Sequence, residues 1–158
     1  MKILLLLPFV LSILTVNAQE INYAKDLASE ANAAGDESKI FLLYVSRPAC
    51  PYCEKLKQDV LFPLVKGKRF DHILRLREVS LADNNIIGFD GVEVSAGRAL
   101  SGYKIVGTPT LLFLDRHGRQ LTENLSGYFL KDFYWSYLEA NIKKAQAKLI
   151  SQLENEPE

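Results

Sequence analysis

Cys50 and Cys53 are the only cysteines in this 158-residue chain, and they sit three residues apart in Cys50-Pro51-Tyr52-Cys53. The preceding residues, Phe41 to Val45, read as a buried strand, and Pro51 suits the first turn of a helix, where its missing N–H costs nothing. Cys50 then falls at a helix N-terminus, where free backbone N–H groups and the helix dipole stabilise a thiolate. Cys53, one turn on, can close a disulfide with it. The chemistry such a pair supports is thiol–disulfide exchange. Cys50 attacks a substrate disulfide to give a mixed disulfide, and Cys53 resolves it; run backwards, the same steps oxidise a dithiol.

Other roles for the pair carry less weight. A purely structural disulfide closing so short a loop constrains little of the unfolded chain. A closed zinc site needs four ligands, and the two histidines, His72 and His117, are isolated in sequence. Inert core cysteines fit poorly at a turn-flanked helix start. No metal site is expected.

A second signal lies at Thr108-Pro109, directly before the apolar run Thr110 to Leu114. Proline cannot donate to a sheet, so at a strand start it needs a reason, and a cis peptide is one. That geometry leaves the Thr108 backbone available to pair with an extended substrate.

The surrounding pattern supplies elements to hold these residues. Asn22 to Ala34 reads as a helix stopped by Gly35, Lys39 to Ser46 as a central strand, and Pro51 to about Val65 as a helix that Pro63 kinks. His72 to Leu81 alternates as a second strand, Ala82 to Gly97 reads as a surface loop, and Arg98 to Tyr103 as a short helix. Thr110 to Leu114 and Arg119 to Glu123 read as a hairpin across Asp115-Arg116-His117-Gly118. Leu130 to about Leu153 is a long helix with Leu130, Phe133, Tyr134, Tyr137, Leu138, Ile142, Ala145 and Leu149 as its inner stripe. The order predicts an α/β fold: a mixed central sheet with helices on both faces.

Taken together, the Cys50-Pro51-Tyr52-Cys53 motif after a strand and Gly107-Thr108-Pro109-Thr110 before a hairpin resemble the thioredoxin superfamily. The resemblance runs from about residue 36 to 150, through Asp115 to Gly118, Gly127-Tyr128 and the last helix. Within the superfamily it is most similar to exported bacterial thioredoxin-like thiol:disulfide oxidoreductases of the SoxW and disulfide-isomerase-like kind. It implies a thioredoxin fold with catalytic Cys50 and Cys53 and a cis-proline loop in which Thr108 and Pro109 meet substrate. Pro51 and Tyr52 are expected to face the substrate as well, with Tyr52 alternatively only covering the disulfide. It further implies no cofactor beyond the Cys50–Cys53 disulfide, and protein dithiols or disulfides plus a redox partner protein as its partners. The alternative is a non-catalytic peptide-binding or chaperone-like module whose disulfide is a clip. Two departures stand out. Tyr44 occupies the position of thioredoxin's buried acid, six residues before the first cysteine, so proton transfer at Cys53 needs another route. The glycine pair with which glutaredoxins hold glutathione is absent after the proline strand.

Composition frames the function. Nineteen basic and nineteen acidic residues balance, which argues against a nucleic-acid binder. Met1-Lys2, the apolar stretch Ile3 to Val16 and the small-residue site at Val16-Asn17-Ala18 have the three parts of a secretory signal peptide. The 14-residue apolar run is short of the about 20 that span a bilayer. The expectation is a cleaved leader, residues 1–18, and one domain, residues 19–158, with no membrane insertion after cleavage. It would act as a monomer in the periplasm, an oxidising compartment where disulfides persist.

Overall fold

Ile40–Ser46 is apolar at every position but the last, and it forms the strand on which the fold is built, buried along its whole length. The computed structural model of the protein describes residues 21–155; the leader expected over residues 1–18 lies outside them. Strand β1 (Ile40–Ser46) pairs in parallel with β2 (Leu74–Ser80) and antiparallel with β5 (Thr110–Leu114), and β5 pairs antiparallel with β6 (Leu125–Ser126). The sheet order is β2-β1-β5-β6. Beyond β2, the segment at Asn22–Ala24 adds a short parallel edge: Ala24 N–H donates to the Glu78 carbonyl, and Glu78 N–H donates to the Asn22 carbonyl.

Strand alternation divides the core in two. Ile40, Leu42, Tyr44, Leu111 and Phe113 face the active-site helix and the C-terminal helix. Phe41, Leu43, Val45, Leu112 and Leu114 face α1 (Leu27–Asp36) and α4 (Ala96–Ala99). Both faces of β1 and β5 are covered, which is why these strands are continuous apolar runs rather than alternating ones.

The active-site helix runs from α2 (Pro51–Leu56) through a wide π-helical turn (Lys57–Leu61) into α3 (Phe62–Gly67). Pro63 lacks an N–H, and its ring crowds the carbonyl four residues back, Asp59, so the interruption falls one turn before the proline. The first helix starts later than the periodicity suggests, because Asp26 caps it by accepting from Ser29 N–H while residues 22–24 are held on the sheet edge.

Four further differences follow. The expected strand Arg119 to Glu123 is reduced to a single bridge, Leu114 to Gln120. Side chains pull this segment away from the sheet: Gln120 Nε2 donates to Asn124 Oδ1, and Asn124 Nδ2 donates to the Tyr103 carbonyl. The strand that pairs β5 is instead β6. The expected loop Ala82 to Gly97 contains a hairpin, β3 (Ile86–Ile87) with β4 (Glu93–Val94), whose Ile86 enters the core. The short helix appears at Ala96–Ala99, capped by Ser95, followed by a single 3-10 turn over Ser101–Tyr103. In α5 (Lys131–Glu154) the inner stripe is Tyr134, Leu138, Ile142, Ala145 and Leu149. Leu130, Phe133 and Tyr137 are exposed, because Leu130 precedes the helix and Phe133 and Tyr137 are turned away from the stripe that buries Tyr134 and Leu138.

Candidate active site

The site forms where β1 ends and α2 begins. Cys50 is the N-cap of α2 and Pro51 its first residue, so the Cys53 N–H, a first-turn donor, is shared between the Cys50 carbonyl at 3.0 Å and the Cys50 sulfur at 3.2 Å. Cys50 and Cys53 form a disulfide with Cα atoms 5.2 Å apart. Both are buried, Cys53 to 1% exposure.

The loop before β5 closes on the sulfur from the other side. The Thr108–Pro109 peptide is cis. Thr108 Oγ1 lies 3.6 Å and the Thr108 carbonyl oxygen 3.8 Å from Cys50 Sγ. The loop is pinned at both shoulders: Gly127 N–H donates to the Pro109 carbonyl at 2.7 Å, and Thr110 Oγ1 donates to the Gly107 carbonyl at 2.8 Å. Of the residues singled out from sequence, Cys50, Cys53 and Thr108 therefore meet at one point. Pro109 is buried beneath them. Pro51 is exposed on the first turn of the helix and Tyr52, 62% exposed, projects beside it. His72 and His117 remain on the surface, and among the described residues no group of three or more His, Cys, Asp or Glu side chains converges.

Tyr44 fills the place of a buried acid and does something different. It is fully buried, and its hydroxyl donates to the Cys53 carbonyl at 3.1 Å. Burial, with the charge of Glu78 adding to it, pushes the phenol far above its ordinary range, so it stays a protonated donor.

Sequence reading missed the polar cluster next to this tyrosine. Glu78 is the cross-strand partner of Tyr44 and is 2% exposed. Ser46 Oγ donates to its Oε1 at 2.7 Å, and Lys57 Nζ lies 3.5 Å from both carboxylate oxygens. Lys57 also pairs with Glu54 at 3.2 Å. Burial depresses the lysine, but the Glu54 hydrogen bond and the Glu78 charge outweigh it and hold Lys57 above its ordinary value. A cavity of about 620 Å³ runs from Cys50 and Pro51 past Glu54 and Lys57 to Glu78 and Tyr23. The sequence carried a signal for this: Leu74, Leu76 and Glu78 share one strand face, so the acid breaks an inward apolar series.

Comparison with known proteins agrees with this fold. Among solved structures the chain is similar to a thioredoxin-fold protein from Helicobacter pylori (18% identity, TM-score 0.50, covering 82% of this chain and 96% of that one). It is similar also to thioredoxin O2 from Arabidopsis thaliana in the oxidised state (17% identity, TM-score 0.52, 77% and 94% covered). A third is a DsbH oxidoreductase (20% identity, TM-score 0.52, 84% and 92% covered). Comparison with curated proteins gives no match. The family model for a thioredoxin-like domain matches residues 27–142, which span the first helix, the disulfide, the cis peptide and the first half of the last helix; the chain belongs to the thioredoxin-like domain family.

Proposed function

We propose that this protein is an exported thiol:disulfide oxidoreductase that exchanges disulfides with protein substrates through Cys50 and Cys53, in the reductase direction. The observation that carries the reading is the position of the disulfide. Cys50 sits at a helix N-terminus, with a backbone N–H aimed at its sulfur and Thr108 across from it. A thiolate formed there is stabilised by the N–H and the helix end, which is what a nucleophile in exchange requires. A disulfide serving only as a clip would gain little from so short a loop.

In the reductase cycle the Cys50 thiolate attacks one sulfur of the substrate disulfide, and the other leaves as a thiolate. Cys53 then attacks Cys50 Sγ, closes the disulfide and releases the second substrate thiol. The substrate is reduced by two electrons and the Cys50–Cys53 pair is oxidised. The substrate segment runs extended past the Thr108 backbone, with Pro51 and Tyr52 flanking it. A redox partner protein returns the pair to the dithiol. No cofactor takes part. The leader-like sequence of residues 1–18 supports export, and in this reading the protein works in the periplasm as a monomer.

The test is alkylation and mass analysis across buffers of graded redox potential. Interconversion of Cys50 and Cys53 between dithiol and disulfide is the expected result. A pair that never interconverts leaves the non-catalytic peptide-binding module. A Cys53→Ala variant traps mixed disulfides through Cys50 and identifies the substrates.

A further inference from the structure

The cavity of about 620 Å³ beside the disulfide has Cys50 itself in its wall, with Arg47, Pro51, Glu54, Lys57 and Glu78 around it. Thr108 and Pro109 are not among its walls, so an extended peptide held on the cis-proline loop leaves it unused. Its volume falls within the range of about 300–1,000 Å³ typical of small-molecule sites. We propose that this cavity is a subsite for a small zwitterionic disulfide, cystine, with Arg47 facing its carboxylate and Glu54 its ammonium group. The proposal rests on the exchange reaction above and names a substrate class for the same sulfur.

The charges on the walls fall into two groups. Lys57 pairs with Glu54 at 3.2 Å and with Glu78 at 3.5 Å. Two carboxylates thus face one ammonium, and the cluster carries an excess negative charge. Glu78 is buried and accepts from Ser46, so it contributes charge and no contact. Glu54 is exposed and is the member open to a ligand. Arg47 is exposed too, and among the described residues it forms no salt bridge. Its guanidinium offers a planar fork of donors that matches a carboxylate. Arg47 directly follows β1 and Glu54 lies on the first turn of α2, so the two approach the sulfur from different elements. A dianion would meet the excess carboxylate, and a dication the unpaired guanidinium. An amino acid bearing one group of each sign, two bonds from its sulfur, meets both.

The reaction balances as an exchange. The Cys50 thiolate attacks one cystine sulfur, the cystine S–S bond breaks, and one cysteine leaves as a thiolate. The other cysteine stays bonded to Cys50 Sγ in the cavity. Cys53 then loses its proton to solvent and attacks Cys50 Sγ, and the second cysteine leaves as a thiolate that takes up a proton. Cystine is reduced by two electrons to two cysteines, and the Cys50–Cys53 pair is oxidised. The redox partner that serves the protein reaction returns the pair to the dithiol.

The test is a panel of small disulfides that differ in charge: cystine, cystamine (ammonium only), dithiodipropionate (carboxylate only) and hydroxyethyl disulfide (neutral). Reduced protein is mixed with each, the reaction is stopped by alkylation, and the remaining dithiol is read by mass analysis. Each rate is divided by that of dithiothreitol with the same disulfide, which removes intrinsic reactivity. Cystine is expected to lead the panel. Arg47→Gln is expected to lower the ratio of the cystine rate to the cystamine rate about fivefold, and Glu54→Gln to lower the ratio of cystine to dithiodipropionate by about the same factor, the upper end for an exposed ion pair. Ratios are used because a change in Cys50 reactivity moves every rate together and cancels. Both replaced side chains are exposed, so the fold is retained. A wild-type protein that reacts with all four at normalised parity, or that prefers the neutral disulfide or oxidised glutathione, overturns the proposal, and so do ratios unmoved within 1.5-fold in both variants. If no disulfide in the panel oxidises the pair, the exchange reading itself fails, which is a different result from reaction without preference.

Discussion

Thr108 reaches the attacking sulfur from outside the active-site helix, and replacing it with valine isolates what its hydroxyl contributes. Valine keeps the branched shape, and only the Oγ1 contact at 3.6 Å is lost. In the dithiol form that hydroxyl is placed to donate to the Cys50 thiolate. A hydrogen bond to a charged group contributes about 1.5–3 kcal/mol; this one is long, as sulfur contacts are, and half-buried, which puts it at about 1.4 kcal/mol. That figure is about a tenfold change in an equilibrium constant. Thr108→Val is therefore expected to lower the thiolate fraction of Cys50 about tenfold below the thiol's titration, read as tenfold slower alkylation by iodoacetamide near pH 6. The sign for the redox couple follows. The hydroxyl stabilises the reduced form, so its loss makes the couple more reducing, by roughly 30 mV for a two-electron exchange. Equilibration with glutathione, followed by mass analysis, measures it. If alkylation is unchanged within twofold, or if the couple becomes more oxidising, the hydroxyl does not bear on the sulfur and the argument for Thr108 falls.

The remaining predictions concern the frame. Asp115 is buried; its Oδ1 accepts from the His117 and Arg119 N–H groups at 2.8 and 2.9 Å, and its Oδ2 accepts from Arg119 Nε at 2.7 Å. Asp115→Ala is expected to cost about 2–3 kcal/mol, a Tm loss of roughly 8–12 °C, while Asp115→Asn, which keeps Oδ1, costs under about 1 kcal/mol; thermal unfolding of both checks the split. Gly118 has φ +75°, and a Cβ there would stand 2.6 Å from Phe89 Cδ1, so Gly118→Ala combines a left-handed backbone with overpacking and loses about 2–4 kcal/mol by urea titration. Burial raises the Glu30 carboxyl, but its contacts with Arg77 and Arg75 outweigh this and hold it below its ordinary value. That pairing stabilises the fold above the unfolded-state value near 4.5 and is lost as pH falls through the lower folded-state value. Urea midpoints of wild type and Glu30→Gln should differ at pH 7 and converge as the pH falls below the lowered folded-state value.

Sequence pattern revealed the site better than its surroundings. Cys50 and Cys53 could be placed because a strand end, a proline and a three-residue spacing are all local signals. Thr108 and Pro109 were visible for the same reason, since a proline before an apolar strand is anomalous on its own. What was not legible depends on contacts across the sheet. The partner of β5 shifts from residues 119–123 to Leu125–Ser126 because Gln120 and Asn124 bond to each other and to Tyr103, a pairing no periodicity reports. The exposed face of α5 at Phe133 and Tyr137 depends on which narrow stripe of the helix, Tyr134 and Leu138, meets the core. Glu78 shows its meaning only when the parallel register sets it opposite Tyr44.

The wide turn at Lys57–Leu61 has a consequence for how the helix can change. Each residue of an α-helix advances its face by about 100°, so adding or deleting one residue in the regular stretch on either side would swing the disulfide end off the alignment set by Leu64. The wide turn already holds one residue more than an α-turn of the same pitch. Removing a residue there would tighten it to α while leaving both flanks in phase. It also lets Lys57 lean toward Glu78 while Asp59, two residues on, accepts a hydrogen bond from Tyr128 on the opposite flank. The turn thus acts as slack in the helix's angular bookkeeping, the one place along this rod where its length and the aim of its redox end can vary independently.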